Sequence, residues 1–98
     1  MPTYIVLINY TDKGIQTIKD SPGRLASSKE EARAFGCEVK AFYLTMGPHD
    51  IVEVIDAPDD QSIARLTLAV AAGGNVRTTT MRAFPEEEFR SIVQSLPL

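Results

Sequence analysis

A single cysteine, a single histidine and no tryptophan occur among the 98 residues. With only Cys37 available, no internal disulfide can form, and nothing favours an oxidising destination or a stapled extracellular scaffold. Cys37 and His49 make no ligand set of recognised spacing, so no metal is expected. Basic charge is scarce: ten Lys and Arg against thirteen Asp and Glu leave a formal net charge of −3, with no Lys/Arg run. Gripping nucleic-acid phosphates needs a basic face, so no nucleic-acid partner is expected. Long apolar runs are missing too. The opening stretch has no basic leader and its apolar run stops at Asn9. It fits neither a signal peptide nor a membrane span, so a cytoplasmic protein with no membrane partner is expected. Gly73-Gly74-Asn75 closes a helical pattern instead of opening one, so it is no phosphate cradle, and no Ser/His/Asp order is visible. No cofactor is therefore expected.

What is present is ordinary globular material, 44% hydrophobic and 23% charged. The length suits one domain spanning 1–98, able to bury roughly 65% of its unfolded surface. Residues 3–10 are β-branched and aromatic and predict a strand. Both of its alternation sets are apolar, Ile5 and Leu7 on one side, Tyr4, Val6, Ile8 and Tyr10 on the other. Thr11-Asp12 predicts a capped helical turn. Ser21-Pro22 predicts a serine N-cap with proline at the first helical position, opening a helix to about Phe35 that Gly36 stops in a left-handed cap. Residues 38–46 and 51–55 predict two strands joined by the turn Gly47-Pro48-His49-Asp50, hence an antiparallel hairpin. Pro58-Asp59-Asp60 opens a helix whose buried stripe is Ile63, Leu66 and Val70, ended by Gly73-Gly74. Residues 75–84 predict a fourth strand, and Pro85-Glu86-Glu87-Glu88 starts a last helix with Phe89, Ile92 and Val93 on one side.

The order β-α-β-β-α-β plus a C-terminal helix predicts an α+β, ferredoxin-like fold: a four-stranded antiparallel sheet with both long helices on one face. Strands one and three are expected at its centre. Because both carry apolar residues on both faces, the second face would expose more apolar surface than monomers usually tolerate. Burial against a two-fold mate, in a homodimer or higher homo-oligomer, is the expected remedy; the alternative is the C-terminal helix folded across that face within one chain.

Chemistry-bearing residues are few. His49, beside Asp50, offers a general base at a cleft mouth or simply a solvated turn. Tyr4, Tyr10 and Tyr43 offer phenols that could orient a small apolar or aromatic ligand, or packed rings with satisfied hydroxyls. Arg82 shares a strand face with Val76, Thr78, Thr80 and Phe84, either as an anion site or as the polar side of an edge strand. Cys37 reads as a small buried residue.

Three separated segments carry a family resemblance: Tyr4-Ile5-Val6-Leu7-Ile8-Asn9-Tyr10-Thr11-Asp12-Lys13-Gly14-Ile15, Ala41-Phe42-Tyr43-Leu44-Thr45-Met46-Gly47-Pro48-His49-Asp50-Ile51-Val52, and Gly74-Asn75-Val76-Arg77-Thr78-Thr79-Thr80-Met81-Arg82-Ala83-Phe84. In these the chain resembles the GYD-domain family, with His49 standing where that family usually has tyrosine. The resemblance implies a dimeric α/β barrel, two sheets facing each other around a cleft, and no particular reaction. Relatives of the wider fold include cofactor-independent oxygenases, isomerases, haem-binding proteins and ligand-sensing domains. The expected function is a binding or assembly module with a small-molecule cleft. The competing reading is a cofactor-independent oxygenase or isomerase acting on a small aromatic or keto compound. A sensing domain acting through a separate DNA-binding partner is a third.

Overall fold

A computed structural model describes all 98 residues. Its elements follow the predicted order: β1 (Thr3–Tyr10), α1 (Asp12–Gln16), α2 (Ser21–Ala34), β2 (Glu38–Leu44), β3 (Ile51–Asp56), α3 (Asp60–Ala72), β4 (Val76–Ala83) and α4 (Glu86–Gln94). The four strands form one sheet in the order β2-β3-β1-β4, antiparallel at every pairing. The central strands are thus the two whose residues are apolar on both faces.

Pairing register sorts the side chains. Tyr4, Val6 and Ile8 lie opposite Ile55, Glu53 and Ile51 on one side and Arg82, Thr80 and Thr78 on the other. This set faces α2 and α3. Ala32 from α2 and Ile63 and Leu66 from α3 join Tyr4, Val6, Ile8, Ile51 and Ile55 in a single buried cluster. Only 13 of the 98 residues are buried, so this one layer carries most of the hydrophobic stabilisation.

Local chemistry sets the helix ends. The Thr11 hydroxyl accepts from Gly14 N at 3.1 Å and starts α1. The Asp59 carboxylate accepts from Ser62 N at 2.8 Å and from the Ser62 hydroxyl at 2.7 Å, starting α3. These bonds hold the Asp59 carboxyl below the usual carboxylate range. Helix α2 ends in Gly36 at φ 76°, with Cys37 N donating to Ala32 O at 2.7 Å and Gly36 N to Arg33 O at 3.0 Å. That is the paired bonding of a Schellman terminus, which only glycine enters without strain.

Three expectations need correction. Ser21 does not cap α2. Asp20, the preceding residue, already has helical dihedrals because a 3₁₀ turn, Ile18–Asp20, runs directly into the helix, and no side chain bonds the first amides. The Ser21 hydroxyl instead lies 2.7 Å from the Tyr10 hydroxyl. Strand β2 stops at Leu44, two residues early, because Thr45 turns to close the hairpin loop. Its amide donates to Asp50 O at 2.8 Å and its hydroxyl to His49 O at 2.7 Å. A register shift between Val39 and Ala41 bulges the same strand at Lys40. Strand β4 is one residue shorter at each end than predicted.

The other sheet face is bare. Ile5 pairs with Val54 and Met81, and Leu7 with Val52 and Thr79. No element of the chain lies over them. Helix α4 does not fold across that face: every one of its residues is exposed, Phe89, Ile92 and Val93 among them. The molecule is therefore a thin slab with a projecting helix, 52 × 31 × 17 Å. Its radius of gyration of 14.9 Å exceeds the roughly 12.6 Å of a compact domain this long.

Candidate functional site

The six residues singled out from the sequence fall into three places: Tyr4 with Arg82, Tyr10 with His49 and Asp50, and Tyr43 by itself. Tyr4 and Tyr10 stand at opposite ends of β1, about 20 Å apart by strand rise. Both lie on the helix-covered side. The Tyr4 ring is buried, and its hydroxyl donates to Asp60 Oδ1 at 2.5 Å. Burial and that bonded carboxylate push its pKa up to about 12. Tyr10, half-buried, is bonded to Ser21. Neither phenol points toward the bare face, because strand alternation sends positions 4, 6, 8 and 10 the same way. Tyr43, by contrast, alternates onto the bare face opposite Val52 and is largely exposed.

His49 and Asp50 are adjacent but do not act as a pair. Asn9 explains the histidine. Its amide nitrogen donates to Pro48 O at 2.8 Å, which leaves its Oδ1 to accept from His49 Nδ1 at 2.8 Å. That network assigns the ring proton to Nδ1 and leaves Nε2 without a protein partner. Asp50 is spent on architecture: Oδ2 accepts from Tyr10 N at 2.9 Å, and Asp50 N donates to Ile8 O at 2.9 Å. Both bonds fasten the hairpin loop to the end of β1.

Arg82 is also committed. Its guanidinium lies 4.5 Å from the Phe84 ring centroid and 5.7 Å from that of Tyr4. It donates to Thr3 O at 3.2 Å and to Ala83 O, and lies 3.8 Å from the Glu88 carboxylate. It thereby ties the start of α4 to the end of the sheet. Cys37 is buried, and burial pushes its thiol pKa up, away from nucleophilic use. No group of three or more His, Cys, Asp or Glu side chains is placed to hold a metal ion.

The structure brings forward two features that the sequence residues did not name. The first is the bare apolar sheet face. The second is a groove of about 630 Å³ between α2 and α3 on the covered side. Glu53 stands on its floor, only 7% exposed. Burial raises its pKa, with the charge of Lys29 pulling the other way. A signal for Glu53 existed: in Ile51-Val52-Glu53-Val54-Ile55 it alternates with the two buried isoleucines, so it must share their face.

An antiparallel sheet with its helices on one face and βαββαβ order defines a ferredoxin-like α+β domain. Solved structures share it. The feast or famine regulatory protein of M. tuberculosis, complexed with L-methionine, superposes with a TM-score of 0.65 at 20% identity over 86% of this chain and 50% of that one. The leucine response regulatory protein of Mycobacterium tuberculosis gives 0.64 at 22% identity over 85% and 50%. A Thermus thermophilus protein gives 0.54 at 23% identity over 86% and 94%. The chain spans about half the length of the two regulators, and at these identities the likeness is one of fold. Residues 4–93 match the family model described as GYD domain, and the chain belongs to that family. A curated relative from Thermus thermophilus, named glutamine synthetase and cystathionine beta-lyase binding protein, is 42% identical over 86 residues, 87% of this chain and 90% of that protein. No helix is long and apolar enough to cross a membrane.

Proposed function

We propose that this GYD-domain chain is a non-catalytic binding module that works as a two-fold oligomer. Its bare sheet faces turn toward each other around a cleft for a small apolar or aromatic ligand. The observation that carries this reading is the uncovered face built on Ile5, Leu7, Val52 and Val54 at the centre of the sheet. Surface area supports it. A compact 10.7 kDa monomer exposes about 5,500 Å², whereas this chain exposes 6549 Å². The excess, about 1,000 Å², matches what one partner contributes to a standard interface. Helix α4 fits the same picture, its stripe of Phe89, Ile92 and Val93 laid on the second copy rather than on its own sheet. In this reading Tyr43, on the uncovered face, is the phenol that lines the cleft.

The Thermus relative's name supports a protein partner for the assembled module, an enzyme such as glutamine synthetase. An oxygenase or isomerase reading gains no support, because Arg82 stands at the opposite end of β1 from His49 and is committed to Thr3, Ala83 and Glu88.

Native mass spectrometry tests the core of the proposal. The protein should fly as a dimer or higher multiple, and Leu7→Glu should convert it to a folded monomer. A wild-type monomer would overturn the facing-sheet reading. Calorimetric titration of the oligomer into purified glutamine synthetase tests the enzyme partner; saturable heat is expected, and its absence would remove that partner.

A further inference from the structure

On the covered side of the sheet, opposite the proposed interface, the groove between α2 and α3 has the volume of a small-molecule site, about 630 Å³. Its floor is Ile8, Phe42 and Ile51, with Leu25 and Val70 on the walls. Glu53 rises from that floor. Its side chain is more than nine-tenths buried, yet its carboxyl has no ion-pair partner and no hydrogen-bond donor. No fully occluded polar atom in the protein lacks a partner, so the Glu53 oxygens open into the groove. Half-buried Lys29 acts on it only from beyond ion-pair distance, so a carboxylate so placed calls for a cation or donors at contact distance.

Two of the surrounding donors are already occupied. Arg24 donates to Thr17 O, the Thr17 hydroxyl and Gly14 O. Ser28 donates to Leu25 O at 2.8 Å. On the floor of the groove the spare hydrogen-bonding capacity is acceptor capacity on an acid, set in an apolar bed. At the mouth, Lys19 and Arg24 are offset by Asp20 and Glu31, so the rim adds no net preference.

We infer that the groove is a binding site for a small organic cation, an ammonium group on an apolar body, with the ammonium donating to Glu53 and the body lying on Phe42 and Ile51. The raised pKa of Glu53 agrees in direction, since a buried carboxyl awaiting a cation is held back from ionising. The site and the proposed interface occupy opposite sheet faces, so either can fail without the other.

The absence of tryptophan makes the test direct, because indole fluorescence can be read without protein background. Tryptamine titrated into the full chain should bind saturably, with amide chemical-shift changes at Phe42 and Ile51. Tryptophol, its neutral counterpart, should bind about tenfold or more weakly, the cost of losing a charged hydrogen bond. E53Q, folded by circular dichroism, should lose the same factor for tryptamine and none for tryptophol. Ser28→Phe, which fills the groove from α2 and leaves the carboxyl intact, should weaken both probes. Equal tryptamine affinity in wild type and E53Q, shifts confined to the other sheet face, or no saturation would each overturn the site.

Discussion

The two faces of one sheet make the instructive comparison. They are built from the same strands, residue by residue in alternation, yet one is a core and the other a surface. Val6 is 2% exposed beneath the helices, while its neighbours Ile5 and Leu7 remain only half-buried. Composition does not separate the faces: isoleucine and valine occur on both. What separates them is where the crossovers run. Right-handed connections place α2 and α3 on a common side, leaving the opposite face uncovered by its own chain. Apolar character therefore predicts burial, but not whether the cover comes from the same chain.

Mutations on the two faces should break this symmetry in different currencies. The largest effect belongs to the covered face. Ile8→Ala should cost about 2–5 kcal/mol through lost burial and a residual cavity, lowering the thermal midpoint whatever the protein concentration. Leu7→Glu, one residue away, should leave that monomer core intact and act on oligomeric state. A loss of folding by Leu7→Glu equal to that of Ile8→Ala would mean the faces are not distinct.

Next comes the edge of the covered layer. A Cβ at buried Gly14 would fall 2.1 Å from Asn75 O and 3.2 Å from the Tyr10 ring. Backbone cannot yield there as a side-chain tip would, so Gly14→Ala should cost about 1–3 kcal/mol or more by chemical denaturation. A neutral outcome would show that α1 is free to move off β4.

A smaller effect is expected at Tyr4, where the covered face reaches the rim. Tyr4→Phe deletes the bond to Asp60 and should cost about 1 kcal/mol, toward the low end for a charged acceptor at the rim. Its pH signature is specific. Because the folded pKa is pushed up to about 12, the neutral phenol's contribution is complete below the unfolded value near 10. It is lost as pH rises from there toward 12. The wild-type advantage over Tyr4→Phe should shrink in that window; an advantage constant through it would contradict the assignment.

The smallest effect runs the other way. The raised pKa of Glu53 means that the folded state holds its proton more tightly than the unfolded chain. Stability is then complete below the unfolded value of about 4.3 and declines as pH rises through the folded value. Glu53→Gln cannot ionise, so it should melt above wild type at neutral pH, with the two curves converging near pH 4. A pH-independent gap would point to packing instead.

Particular residues show what could be read early. The strands were legible in their β-branched runs, and Thr11, Asp59 and Gly36 announced helix ends through local bonding that needs no tertiary partner. Ser21 misled because the same serine-proline signal serves a cap only if the preceding residue is extended, and Asp20 is helical. His49 and Asp50 looked like a dyad because they are neighbours in sequence; Asn9 and the Tyr10 amide, forty residues away along the chain, claim them separately. Glu53 was legible by alternation between Ile51 and Ile55, but its isolation was not, since a missing partner is a property of three dimensions.

By itself the sequence determined the element order, the antiparallel pairing and the central position of the two doubly apolar strands. Those follow from periodicity and crossover handedness, which are local or nearly so. Only the tertiary structure decided that α4 leaves its own sheet bare, that Arg82 is spent on the rings of Phe84 and Tyr4, and that α2 and α3 part widely enough to leave Glu53 facing a groove. The physical reason is that an apolar stripe or a charged group specifies the kind of surface it needs, whereas the choice among several such surfaces depends on distances that no single segment contains.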